Sequence, residues 1–269
     1  MKRILFFALL TVCLVILGRY LYQMHLTRLG NDYISMQDMT RLKTLVSGRR
    51  DIATTLLENA FVIQDKEVFV LLLENGANSN VSWIKTKWGK VPLLMLIAEH
   101  EDRFWIESVL KHGADPNWHR SRNIYLLTFA IDRHKPKNAR LLMDYGADVN
   151  SGYKDQSQID NAWSQWQHEI TYELLIRDAD FNRPSPIQKS IIGGMQFDFQ
   201  PKANNLIGTS ARKFGTYEYL EKILAWFEDH NLDWRNATHS DPTGKTKGIW
   251  TIPKLDPNRE TTPEVLGER

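Results

Sequence analysis

Asn75-Gly-Ala-Asn-Ser-Asn80, His112-Gly-Ala-Asp-Pro-Asn117 and Tyr145-Gly-Ala-Asp-Val-Asn150 are three copies of one phrase, and Asp178-Ala-Asp-Phe-Asn182 is a fourth that has lost its glycine. The closing asparagines stand at positions 80, 117, 150 and 182, a spacing close to the ~33 residues of one class of helical repeat. Each phrase follows a short run with helical apolar spacing: Val70-Leu-Leu-Leu73, Val109-Leu110, Leu141-Leu142 and Leu174-Leu-Ile176. A glycine directly after such a run is the residue a left-handed helix cap needs, and the Asp or Asn that follows can bond its own backbone in the turn. The unit therefore reads as helix, cap, turn and restart.

Some twenty-four residues before each asparagine a second pattern should open the partner helix, and it is found with decreasing clarity. Thr55-Leu-Leu-Glu-Asn-Ala60 holds that place in the first unit, Val91-Pro92-Leu93 in the second, Tyr125-Leu-Leu-Thr-Phe-Ala130 in the third and Gln158-Ile-Asp-Asn-Ala-Trp163 in the fourth, where little of it remains. These two patterns in register resemble the ankyrin-repeat family over about residues 50–183. The resemblance implies an all-α fold, a solenoid of helix-turn-helix repeats joined by finger loops. The repeats fall near 52–80, 89–117, 122–150 and 155–182, inside a domain at 31–236. Met36 to Val46 has the spacing of an N-terminal capping helix. Tyr217, Leu220, Ile223, Leu224 and Phe227, followed by Asn231-Leu-Asp-Trp234, give a degenerate C-terminal cap at 205–236, as terminal repeats require. Between the fourth repeat and this cap, 183–214 carries Pro184, Pro186, Gly193-Gly194 and Pro201 and reads as an insertion with one irregular helix near 187–192. Residues 237–269 are polar and proline-punctuated, an extended tail.

The N-terminus is of another kind. Lys2-Arg3 precede fifteen residues without charge, Ile4 to Gly18, and Arg19, Tyr20 and Tyr22 follow. A basic start, an apolar core and an aromatic, basic return describe an export signal over residues 1–24. No small-residue cleavage pattern occurs near Gly18, and bulky Val12 precedes Cys13, so the favoured outcome is an uncleaved transmembrane signal anchor. A cleaved, soluble periplasmic protein and a lipoprotein modified at Cys13 are the two alternatives. Lys2 and Arg3 hold the N-terminus inside, which places the repeats in the periplasm of a single-pass inner-membrane protein. The single cysteine lies within the apolar run, so the remainder of the chain contains no thiol, as suits an oxidising compartment.

Chemistry is hard to find. The chain has 269 residues, 34 basic and 32 acidic, and a net charge of +2, which gives no overall attraction for nucleic acid. The 8 histidines lack metal-binding spacing, and one cysteine excludes thiol-rich zinc sites. Asp241-Pro-Thr-Gly-Lys-Thr246 lacks the first glycine of a phosphate loop, and no Gly-x-Ser-x-Gly elbow occurs. The chain is therefore read as a binding protein with no catalytic residues, metal or cofactor, monomeric when unbound. The candidate contacts lie in the loops between repeats, where aromatic and basic residues interleave: Trp83, Lys85, Lys87 and Trp88; Trp118, His119, Arg120 and Arg122; Tyr153 and Lys154. An acidic protein face would be steered to them.

A small anchored ankyrin protein with this layout resembles the immunity proteins paired with phospholipase effectors of the type VI secretion system. That resemblance implies a toxin effector as the partner, met in the periplasm. The alternative is a periplasmic ankyrin scaffold supporting an enzyme, similar to those associated with bacterial catalases.

Overall fold

The computed structural model describes residues 2–87, 89–120, 124–153, 156–181, 217–234, 237–240 and 249–254, with the side chains of 2–10, 153, 156, 217, 239, 240 and 249–251 left aside. The irregular helix expected near 187–192, the rest of the 183–214 insertion, and Asn182 lie outside the described residues. What is described is mostly helical, and it divides into two compact units: residues 1–97 with 104–115, and 98–103 with 116–269.

In the first unit α1 runs unbroken from Lys2 to Ser35, followed by α2 (Met39–Val46), α3 (Arg50–Val62), α4 (Lys66–Glu74), a hairpin of β1 (Trp83–Thr86) and β2 (Gly89–Pro92), α5 (Leu93–Ala98) and α6 (Phe104–Lys111). Asp38 and Asp65 start α2 and α4 by accepting the N–H groups of Arg41 and Val68, each at 3.0 Å, which satisfies donors a helix start leaves open. The core is apolar and aromatic. Trp105 is fully buried, with Phe61 and Phe69 edge-on to it at centroid distances of 5.2 and 5.0 Å.

No break separates the apolar N-terminal stretch from the folded unit. The last third of α1 packs on α2 and α3 through Leu26 and Ile34, both buried, and through Gly30. Gly30 is a packing glycine, since a Cβ there would lie 2.5 Å from Leu56 Cδ1. Asn59 donates to Asn31 Oδ1 at 2.9 Å across the same seam. Residues 11–25, by contrast, are exposed on every side of the helix. Among the described residues no helix is long and apolar enough to cross a membrane, and the side chains of the first part of the apolar run, residues 4–10, are among those left aside.

The second unit continues with α7 (Leu126–Asp132), α8 (Pro136–Asp144), β3 (Gly152–Tyr153) paired with β4 (Gln156–Ser157), α9 (Gln158–Ser164), α10 (His168–Leu175) and α11 (Tyr217–Asp229). Helix α9 packs on α7, α10 on α8 and α9, and α11 on α10. The fourth opening pattern is less degraded than its expected register implied. Ala162 accepts the Gln167 N–H as Ala60 and Ala130 accept those of Asp65 and Lys135, so the motif runs Ser157–Ala162, one residue earlier. Ser157 then caps α9 by accepting the Asp160 N–H at 3.1 Å, and the helix is regular. The slip arose because serine, not threonine-proline, opens this helix.

The phrase quoted at the outset becomes one repeated piece of geometry. Helices α4, α6, α8, α10 and α11 all end with an amide bonded back to the carbonyl five residues earlier: Ala77 to Leu72, Ala114 to Val109, Ala147 to Leu142, Ala179 to Leu174 and Leu232 to Phe227, at 2.9–3.0 Å. The residue before each amide is left-handed, with φ of +81° at Gly76, +84° at Gly113 and +89° at Gly146. Asp178 and Asn231 take the same conformation at +59° and +56°, as short polar side chains can at a modest cost. The closing asparagine links successive phrases. Asn80 Oδ1 accepts the Asp115 N–H at 2.9 Å, Asn117 Oδ1 that of Asp148 at 2.7 Å, and Asn150 Oδ1 that of Asp180 at 2.7 Å. Asn117 also donates to Gly146 O at 3.0 Å. Asn117→Ala removes both bonds and is expected to lower stability by about 1–2 kcal/mol in urea unfolding. Asn117→Asp keeps the acceptor and is expected to lose about half as much.

Two expectations need amending. The all-α reading holds for the bulk of the described chain, but the first and third connections fold as two-stranded hairpins, because short loops between adjacent repeats can pair locally. The tail is not extended throughout. Thr238–Ser240 (β5) pairs with Ile249–Thr251 (β6), and Pro253 O accepts the Asp233 N–H at 2.8 Å, so the chain returns to satisfy the last phrase's backbone. Residues 255–269 lie outside the described residues.

Candidate binding fingers

The first finger is built on α3. Glu58 Oε1 accepts the Trp83 N–H at 2.8 Å, and Ser82 O accepts the Leu93 N–H at 2.9 Å, closing the hairpin base. The antiparallel register pairs Trp83 with Pro92, Ile84 with Val91, Lys85 with Lys90 and Thr86 with Gly89. Alternation then sorts the side chains: Ile84 turns inward and is 8% exposed, while Trp83 and Lys85 turn outward and Trp83 is 38% exposed. Lys85 and Lys90 stand directly opposite each other, both exposed, beside that tryptophan. Like charges in this arrangement repel within the isolated hairpin, so the pair costs stability until an anionic group lies over it. Lys87 is exposed at the turn, and Trp88 lies outside the described residues. Lys90 was not among the candidates. The only signal for it is the register, which becomes readable once the turn is placed at Lys87-Trp88.

The second finger is a narrower turn. Leu126 donates to Trp118 O and Arg120 to Ile124 O, both at 3.2 Å, and the His119 ring lies 5.3 Å from that of Tyr125. His119 and Arg120 are exposed and Trp118 is half-buried, so this tryptophan is partly a packing residue. Arg122 lies outside the described residues. In the third finger Gly152 pairs with Ser157 and Tyr153 with Gln156. Of Tyr153 only the backbone is described, and Lys154 lies outside. Its base is held by Gln158, fully buried, which donates to Thr128 Oγ1 at 2.6 Å and Ser151 Oγ at 3.1 Å. That glutamine ties finger to helix and carries no sequence signal beyond its place in the opening motif.

Among the described residues no group of three or more His, Cys, Asp or Glu side chains is placed to hold a metal. The ionic groups that do converge link helices: Arg140 pairs with Glu169, Arg177 with Glu173 and, at 2.7 Å, with Asp144, while Tyr219 donates to Glu169 at 3.2 Å. These contacts tie α8, α10 and α11 together.

No family model matches the sequence, and no curated protein matches it.

Proposed function

We propose that this chain is an ankyrin-repeat binding protein, held at the bacterial inner membrane by its N-terminal helix with the repeats in the periplasm. Its partner is a toxic effector, a phospholipase of the type VI secretion system, which it neutralises as an immunity protein. The repeat reading is supported by the cap that recurs at five helix ends and by the asparagine bonds between phrases. Membrane attachment is supported by an apolar helix left uncovered all round: Val12, Leu14, Val15, Ile16, Leu17 and Leu21 are each more than half exposed. Apolar surface of that extent, in a helix with no polar face, calls for lipid or protein to cover it.

The observation that carries the binding reading is the outer face of the first finger, Trp83 beside the opposed Lys85 and Lys90. A large aromatic gives contact area at low entropy cost, and two uncompensated cations select an acidic counterpart and speed its approach. The enzyme-neutralising step is coverage: a protein seated on the first finger is kept from its substrate.

The test uses the full chain in detergent and the phospholipase encoded beside it. Capture of that enzyme with loss of lipid hydrolysis is expected. The triple change Trp83→Ala, Lys85→Ser and Lys90→Ser is expected to weaken capture about 100-fold, the scale of one hot-spot cluster, while the chain stays folded by far-UV circular dichroism. An unchanged affinity places the contact elsewhere, and failure of the unaltered chain to capture the enzyme removes the immunity reading.

A further inference from the structure

A cleft of about 610 Å³ opens where α1 leaves the apolar stretch and begins to pack on α3. Its upper wall is Tyr20 and Met24, both more than half exposed, and its lower wall carries Arg28 and Asp32 of α1 and Asp51 of α3. Arg28 and Asp32 are one helical turn apart on the same face, yet no ion pair joins them. Asp51 accepts from Gln23 and is exposed. The cleft therefore presents one cation and two anions to a single exposed space, with an apolar rim on the side of the N-terminus.

We infer that this cleft holds the headgroup of a zwitterionic aminophospholipid, its phosphate on Arg28 and its ammonium between Asp32 and Asp51, with the acyl chains passing Tyr20 and Met24. The inference rests on the anchor reading given above, which sets its depth. At 1.5 Å per residue Arg28 lies about 10 Å beyond Leu21 and about 15 Å beyond Gly18, where the uncharged run ends; that is just outside a bilayer's headgroup layer, and a long side chain on a helix leans back toward the N-terminus and so toward the lipid. A headgroup bearing only negative charge meets Arg28 but also two carboxylates. One bearing both signs matches all three residues, so the charge pattern distinguishes lipids that share a phosphate. A second consequence concerns the fold: α1 is one helix seated on α2 and α3 through Leu26, Gly30 and Ile34, so a lipid in the cleft contacts membrane segment and first repeat together.

The full chain in vesicles of equal phosphatidylethanolamine and phosphatidylglycerol, extracted with mild detergent and examined by native mass spectrometry, reads the inference directly. Retention of one phosphatidylethanolamine per chain, about fivefold over phosphatidylglycerol, is the expected result, the size that two exposed ion pairs supply. Asp32→Asn is expected to abolish the preference, and Arg28→Gln to lower retention of both lipids alike. Both positions are exposed, and an unchanged far-UV helical signal shows that neither change acts through unfolding. Equal retention of the two lipids, or a preference that survives Asp32→Asn, overturns the inference while chain that floats with the vesicles leaves the anchor standing. Chain that fails to float with either lipid overturns the anchor reading and the cleft assignment with it.

Discussion

Trp105→Ala is expected to cost the first unit about 3–5 kcal/mol, the range for truncating a fully buried large aromatic side chain. Trp105 is 0% exposed and stands edge-on to three phenylalanines, Phe61 from α3, Phe69 from α4 and its neighbour Phe104, at 5.2, 5.0 and 5.3 Å. Truncation removes the burial of a large ring, leaves a void bounded by rings that are themselves fixed by neighbours, and ends the edge-to-face contacts. Domains of ordinary stability have only about 5–15 kcal/mol in hand, so the variant is expected to be partly unfolded at 37 °C. Trp105→Phe retains an edge-on ring and is expected to lose roughly half as much. Urea unfolding followed by far-UV circular dichroism measures both. A loss under 1 kcal/mol for the alanine variant shows that the cluster collapses to fill the space and is not the keystone of this unit.

That core was visible in the sequence only as apolar spacing, whereas the caps were visible residue by residue, and the difference is physical. A left-handed cap tolerates few residue types, so Gly76, Gly113 and Gly146 announce themselves, and Asp178 and Asn231 can stand in because their short side chains tolerate the conformation. The inner helix ends were invisible. Gln37, Gln64, His134 and Trp166 also take positive φ, from +53° to +61°, with nothing in their chemistry to mark it, and the bonds on either side impose it. At the fingers the reverse problem arose. Aromatic and basic character was plain, but strands of four residues give too little alternation to be read, so Lys90 was missed until the register placed it opposite Lys85. The junction of α1 with α2 and α3 carries no periodic signal, because its close approach at Gly30 rests on a missing side chain.

Acidification is expected to destabilise the second unit through one residue. His168, at the start of α10, is fully buried beside Trp163 and Trp166, with ring centroids 5.1 and 6.1 Å away. Burial among these rings pushes its pKa down to about 4, because the charged imidazolium loses its hydration there. In the unfolded chain the same group titrates near the ordinary ~6.5, so between those two values the unfolded state binds more protons than the folded one. The contribution is therefore complete above about pH 6.5, falls as pH drops toward about 4, and changes no further below that. The span corresponds to about 3 kcal/mol, since each pH unit is worth ~1.4 kcal/mol. His168→Phe keeps an aromatic ring against the tryptophans and cannot take a proton. Urea midpoints measured from pH 7.5 to 4.5 are expected to fall steeply for the unaltered chain and to flatten in the variant by most of that amount. Parallel slopes for the two proteins would show that His168 takes its proton in the folded chain as readily as in the unfolded one, and that its burial sets no part of the acid response.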